Sequence, residues 1–202
     1  MHKLRSLPST VGVALSGGVD SVVLLHFLRK KHDVTALHYV HNSAYAAVEL
    51  SFVTALCDSW SVPLLINHQP TVRPSGLSTE EYWRHGRYQM FKSFEGTVCT
   101  AHNLDDATEW YIFSSLNGEG HYMAYRNGNV VRPFLCQTKS AIYDYARENK
   151  LEWIEDPSNE NTEWSARNKI RHELMPLALK INPGLRNMVR RRIETKTHES
   201  EK

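Results

Sequence analysis

A short apolar run, Val11-Gly12-Val13-Ala14-Leu15, enters Ser16-Gly17-Gly18-Val19-Asp20-Ser21 and resumes as Val22, Val23, Leu25, His26 and Phe27, stopping at the basic Arg29-Lys30-Lys31. The run reads as a buried strand and its continuation as a helix. Strand, glycine turn and helix in that order start a crossover unit, and parallel strands can only be joined by long connections of this kind. The alternation continues. Val34 to Tyr39, Val62 to Ile66 and Thr97 to Thr100 read as strands, and Val130 to Leu135 as a further one. Tyr45 to Trp60, Thr79 to Phe94 (capped by Ser78 or Thr79), Leu104 to Leu116 and Thr138 to Asn149 read as helices. The fold class this predicts is α/β, a parallel sheet with helices on both faces, followed by a small helical C-terminal segment. Right-handed crossovers then place ligands beyond the carboxyl ends of the strands. Glu155 to Glu163 reads as a polar loop, and the chain from Ser165 as helix interrupted at Pro176 and Pro183, with Thr195 to Lys202 fraying.

Two glycines let a backbone turn sharply and approach a ligand closely. Ser16, Gly17, Gly18, Val19, Asp20 and Ser21 can therefore cradle an anion with hydroxyls, backbone N–H groups and the positive end of a helix. The spacing matches neither GxxxxGK[ST] nor GxGxxG. A carboxylate at Asp20 would repel phosphate unless a divalent cation bridges the two. The structural alternative is a glycine turn with Asp20 capping the helix.

A second segment, Thr100-Ala101-His102-Asn103-Leu104-Asp105-Asp106-Ala107-Thr108-Glu109, also leaves a strand and enters a helix. His102 is the side chain most easily tuned near neutral pH. Asp106 and Glu109, three apart, share a helix face suited to an ammonium group. Capping alone would account for Asp105. Arg84 and Arg87, also three apart, could face phosphate, or pair with Glu80 or Glu81. Net charge is +2, but from Trp164 onward there are 10 Lys/Arg against 4 Asp/Glu, leaving 14 against 18 elsewhere. A basic end suits a polyanion, or forms an ordinary solvated helix face. Cys57, Cys99 and Cys136 form no CxxC pair, which argues against a metal cluster and for reduced thiols in a cytoplasmic protein. No apolar run is long enough to span a bilayer.

The SGGVDS segment resembles the signature of the PP-loop ATP pyrophosphatases, and the TAHxxDD segment is similar to that of the tRNA(Ile)-lysidine synthases among them. Further ordered matches are Glu80 to Tyr88, Arg132-Pro133-Phe134-Leu135, Trp153 to Asn159, Arg167-Asn168-Lys169-Ile170-Arg171 and Pro176. His38 and His41 fit a His-x-x-His after the second strand, although Asn42 stands where the family has Gly. Trp110 and Asn117 also depart from it.

The resemblance implies a two-part chain: a nucleotide-binding α/β domain over residues 1–136 and a basic helical extension over 137–202. ATP is the expected substrate, with Mg²⁺ at Asp20. The expected partners are the anticodon loop of a tRNA and free lysine, with no membrane. A homodimer is one option for an oligomeric state the sequence leaves open. Asp20, His102, Asp105 and Asp106 are the expected catalytic residues, with Asp106 and Glu109 binding lysine. Arg84, Arg87, Arg132, Arg167, Asn168 and Arg171 are expected to bind RNA or phosphate. The expected reaction adenylates a cytidine at O2, and lysine then displaces AMP. The alternatives are another adenylating enzyme of the superfamily, such as a tRNA thiolase or an ammonia-using ligase, or a non-catalytic relative that binds nucleotide or RNA.

Overall fold

The structure, a computed structural model, describes residues 5–70, 74–155 and 166–199. Its elements in chain order are β1 (Thr10–Ala14), α1 (Val19–Leu28), β2 (Asp33–Val40), α2 (Ala46–Trp60), β3 (Leu64–His68), α3 (Thr79–Ser93), β4 (Val98–Cys99) and α4 (Leu104–Leu116). Then come β5 (Arg126–Asn127), β6 (Val130–Val131), α5 (Lys139–Glu148), α6 (Ala166–Lys169), a π-helical turn (Ile170–Leu174), α7 (Met175–Ile181) and α8 (Leu185–Glu199). The sheet order is β3-β2-β1-β4-β6-β5. All pairings are parallel except β5 with β6. The chain winds outward from β1 to β3 and then returns to lay β4 on the other side of β1. That reversal opens a crevice at the carboxyl ends of β1 and β4, where α/β sheets take ligands.

Alternation along β1 explains the layers. Val11 and Val13 enter a core with Val22, Val23, Leu25 and Leu28 of α1, Val53 and Cys57 of α2, and Ile142 and Ala146 of α5. On the other side Leu37, Tyr39 and Val98 meet Met90 and Phe91 of α3. Gly12 has no room for a side chain there, since a Cβ would lie 2.9 Å from Leu37 Cδ1 and 3.0 Å from Phe94 Cε1. Helix α3 begins with a reciprocal capping box between Ser78 and Glu81. Its Gly86 sits over Tyr39, whose hydroxyl would be only 2.0 Å from an added Cβ. A third cluster joins Leu104 and Ala107 of α4 to Val189 and Ile193 of α8.

Four expectations change. The strand expected over Val130 to Leu135 stops at Val131, because Pro133 has no N–H for a ladder. Its partner β5 arrives through a tight turn with Gly128 at φ +60, a short hairpin the reading of parallel strands missed. Pro176 does not interrupt the helical run. The π turn before it widens the backbone where the proline ring would otherwise collide with the carbonyl of the preceding turn. Thr195 to Glu199 does not fray but completes α8, with Thr197 buried and its hydroxyl donating to Ile193 O at 2.6 Å. The segment Asp156-Pro157-Ser158-Asn159 lies outside the described residues.

Helix α1 meets α2 and α5 through a titratable ring. His26 packs on Trp60 and Tyr145. Lys30 Nζ donates to Tyr145 Oη at 3.0 Å, so the phenol proton is left for His26 Nδ1 at 3.2 Å, which requires a neutral imidazole. Burial, and then Lys30 and Arg29, push the pKa of His26 from 6.5 down to about 4. The unfolded chain therefore takes up this proton first, and stability is lost as pH falls from about 6.5 towards about 4. The urea midpoint should decline across that window, and less steeply in His26→Gln. Parallel slopes in the two proteins would remove His26 as a source of acid sensitivity.

Candidate functional site

The loop between β1 and α1 is drawn tight by its own serines. Ser21 Oγ donates to Gly18 O at 2.9 Å and accepts from Ser16 N at 3.1 Å, and the two serine hydroxyls lie 3.1 Å apart. Gly17 holds φ +91, and a Cβ there would lie 2.9 Å from Ile154 Cδ1. Ile154 N donates to Gly17 O at 3.1 Å, so the segment after α5 straps the loop from outside. Gly18 caps α1 without any side-chain cap, leaving the helix's positive end directed at the crevice. Behind it, His38 Nδ1 donates to Leu15 O at 2.8 Å and ties β2 to the residue before the loop. His41 stacks on Trp83 of α3 at 4.9 Å.

The second segment comes alongside at the end of β4. Asn103 caps α4, accepting from the N–H groups of Asp105 (2.9 Å) and Asp106 (3.1 Å), while Asp106 Oδ2 accepts from Asn103 N at 3.0 Å. The Asn103 amide also donates to Asp20 Oδ1 at 3.1 Å, joining the two loops directly. The other carboxylate oxygen of Asp20 receives the Lys139 ammonium. Burial raises the pKa of Asp20 against the opposing pull of Lys139, and nearby Asp106 adds to the rise.

The acidic face of α4 is not open. Arg171 clasps Glu109 through two hydrogen bonds of 2.8 and 3.0 Å and reaches Asp106 Oδ1 at 3.2 Å. Arg167 stands further off, 3.6 Å from Asp106 and 3.7 Å from Glu109. Asp105 accepts from Lys139 N at 2.9 Å and from Arg186 Nε at 2.7 Å. Burial opposes ionisation of Asp106, but His102, Arg167, the Asn103 N–H and Arg171 together hold its pKa below the usual carboxylate value. Glu109 is only 3% exposed, and burial raises its pKa despite Arg171. His102, hydrogen-bonded to Thr100 Oγ1 at 3.0 Å, is held neutral by burial and by Arg132, Arg167 and Arg87, with Asp106 pulling the other way.

The crevice thus gathers Ser16 to Ser21, His102, Asp105, Asp106, Glu109, Arg167 and Arg171. Asn168 is buried between the two arginines in sequence. Arg87 acts on His102 by its charge, whereas Arg84 lies over the ring of Tyr88 at 4.6 Å. Arg132 is 5% exposed and donates to Ala124 O at 2.7 Å and Tyr88 Oη at 3.4 Å. Sequence reasoning missed Lys139, Arg186 and the cross-link from Asn103. Lys139 had one signal: it opens a helix, capped by Thr138, where a cation opposes the helix dipole.

A family model described as a PP-loop domain matches residues 3–178. The chain belongs to the PP-loop family. Among curated proteins it is 36% identical over 192 residues to a tRNA(Ile)-lysidine synthase of Nitrosomonas europaea, covering 86% of this chain and 42% of that one. It is 31% identical over 204 residues to a tRNA(Ile)-lysidine synthase of Thermotoga maritima, covering 92% and 49%. The chain therefore spans less than half the length of these relatives. Among solved structures it resembles the U34-tRNA thiolase NcsA from Methanococcus maripaludis, with a TM-score of 0.73 at 14% identity, covering 96% of this chain and 74% of that one. It also resembles an NH3-dependent NAD synthetase from Campylobacter jejuni, with a TM-score of 0.51 at 19% identity and coverage of 98% and 89%. At such identities the likeness concerns the PP-loop fold alone.

The Arg171–Glu109 pair has a stability consequence. Removing one partner of a buried pair leaves the other charge unpaired, which costs about 3–5 kcal/mol when burial is complete. Arg171 is 37% exposed, so Arg171→Ala should cost less, about 2 kcal/mol. Adding Glu109→Gln should restore most of that loss in urea unfolding. Equal losses in the single and double variants would show that the pairing contributes nothing.

Proposed function

We propose that this PP-loop chain activates a tRNA anticodon cytidine with ATP and transfers lysine to it. The observation that carries the reading is the joining of the SGGVDS cradle to the His102–Glu109 segment, through Asn103 and Asp20, beside the carboxylates of half-buried Asp106 and buried Glu109. The names of the curated relatives support the same reading. The nucleotide's phosphates lie against Ser16 to Ser21 and the start of α1. Cytidine O2 attacks the α-phosphorus and pyrophosphate departs. The lysine side-chain amine then attacks C2, the C2–O2 bond breaks and AMP leaves with that oxygen. His102, neutral at pH 7, takes the proton lost by the amine.

Asp20 is the residue that would hold Mg²⁺. Among the described residues no group of three or more His, Cys, Asp or Glu side chains could hold a metal ion. A single carboxylate fits Mg²⁺, which keeps waters and substrate phosphates as its other ligands. The ion would neutralise charge on the departing pyrophosphate.

Asp106 and Glu109 receive the α-ammonium of lysine, which leaves the neutral side-chain amine free to attack. Their charge is already balanced by Arg167 and Arg171, so the α-ammonium replaces the weaker partner, Arg167, which holds both carboxylates only at 3.6–3.7 Å. Released Arg167, with Arg84 and Arg87, then faces RNA phosphate, while Arg171 stays on Glu109 and Asp106. Buried Arg132 acts through its field on His102. Asp105 secures α5 and α8 around the site. In this division residues 1–136 supply the cradle for the nucleotide, and residues 137–202 close over it and help hold RNA. Sulfur delivery is disfavoured, because all three thiols are buried, and burial pushes Cys57 up to about 11 and Cys136 up to about 12. No helix among the described residues is long and apolar enough to cross a membrane.

The test is AMP release from labelled ATP with Mg²⁺, lysine and an unmodified tRNA carrying a CAU anticodon, followed by mass spectrometry of the digested tRNA. The expected result is release that needs both tRNA and lysine, with lysine added to the anticodon cytidine. Asp20→Ala should abolish it. Release that ignores lysine would replace the nucleophile. Full turnover by Asp20→Ala would remove the metal assignment.

A further inference from the structure

We propose that Lys139 carries the β- and γ-phosphates of ATP, supplying the cation that the SGGVDS loop itself lacks. This deepens the reading above and rests on it. A phosphate cradle of backbone N–H groups usually works with a cationic side chain, and the loop from Ser16 to Ser21 contains none. In space the gap is filled from far along the chain. The Lys139 ammonium lies on Asp20, 119 residues earlier, at the mouth of the loop. The two side chains are 36% and 29% exposed, so the pair faces solvent and a ligand can reach it.

Three features argue that this position is not incidental. Lys139 is the first residue of α5, where the helix dipole disfavours a cation, so its local environment does not account for it. Its backbone is fixed, because Lys139 N donates to Asp105 Oδ2 at 2.9 Å and Thr138 Oγ1 accepts from Ala141 N at 3.3 Å. Its stem runs beside the Tyr143 ring, with the ammonium 5.2 Å from the ring centroid. A rigid base with a pivoting, half-exposed tip suits a group that exchanges one anion for another. Asp20 keeps its second hydrogen bond from Asn103 throughout, so it stays oriented when the lysine moves to phosphate. The two other cations nearest the acidic face, Arg167 and Arg171, are engaged by Asp106 and Glu109.

The test measures binding of ATP, pyrophosphate and AMP by titration calorimetry, without tRNA or lysine and in the presence of EDTA, so that no metal-dependent step contributes. The full chain is compared with Lys139→Met, Lys139→Arg, Asp20→Asn/Lys139→Met, and the exposed control Lys92→Met. A lost charge-assisted contact should weaken ATP and pyrophosphate roughly tenfold or more in Lys139→Met, with AMP unchanged. Lys139→Arg should recover part of the loss. If Lys139 served only to neutralise Asp20, the double variant would regain pyrophosphate binding, and the proposal would fail. Equal weakening of AMP and ATP would likewise overturn it in favour of a structural role. Unchanged binding in Lys139→Met, with a wild type that binds ATP, would sink Lys139 alone. A wild type that binds none of the three ligands would sink the nucleotide reading itself.

Discussion

The crevice depends on one exchange of charge. Four carboxylates at the ends of β1 and β4, those of Asp20, Asp105, Asp106 and Glu109, are matched by Lys139, Arg186, Arg167 and Arg171. All the acids come from the first 109 residues and all the cations from residue 139 onward. Acids gathered this densely and partly removed from water would repel one another and protonate. The later segment neutralises them, and in doing so it is drawn across the crevice. Its apolar anchors are Ile142 and Ala146 of α5 in the main core, and Val189 and Ile193 of α8 against Leu104 and Ala107 of α4.

In the function proposed above, this arrangement couples the site to the C-terminal helices: an entering lysine would compete with Arg167 for Asp106 and Glu109, and an entering phosphate would compete with Asp20 for Lys139. The π turn contributes to the geometry. It lies between Arg167 and Pro176, carries Arg171, and sets both guanidinium groups over a single face of α4. Wider helical turns of this sort are found often at functional sites.

Much of the sheet was legible because its signals are local. The apolar run of β1 and the paired glycines after it specify a strand, a sharp turn and a helix wherever they occur. Helix α4 has the ends the sequence predicts, Leu104 and Leu116, with the polar Asn103 capping its start. The β5–β6 hairpin was not legible, because two-residue strands carry no periodicity. The partners of the acidic residues were not legible either. Sequence spacing suggested Asp106 and Glu109 as an open receptor for an ammonium group, whereas two guanidinium groups already sit on them.

By itself the sequence determined the fold class, the glycine turn between β1 and α1 and the set of residue types at the carboxyl edge. Each of these follows from local backbone preference and from the alternation of apolar residues, which a chain carries without knowing its neighbours. Only the tertiary structure decided which charges meet. Lys139 reaches Asp20 across 119 residues, and Arg186 reaches Asp105 across 81. Such pairings come from how the later helices pack on the sheet, and no spacing in the chain encodes them. The same holds for protonation, because burial and the sum of surrounding charges keep His102 neutral and Asp106 ionised.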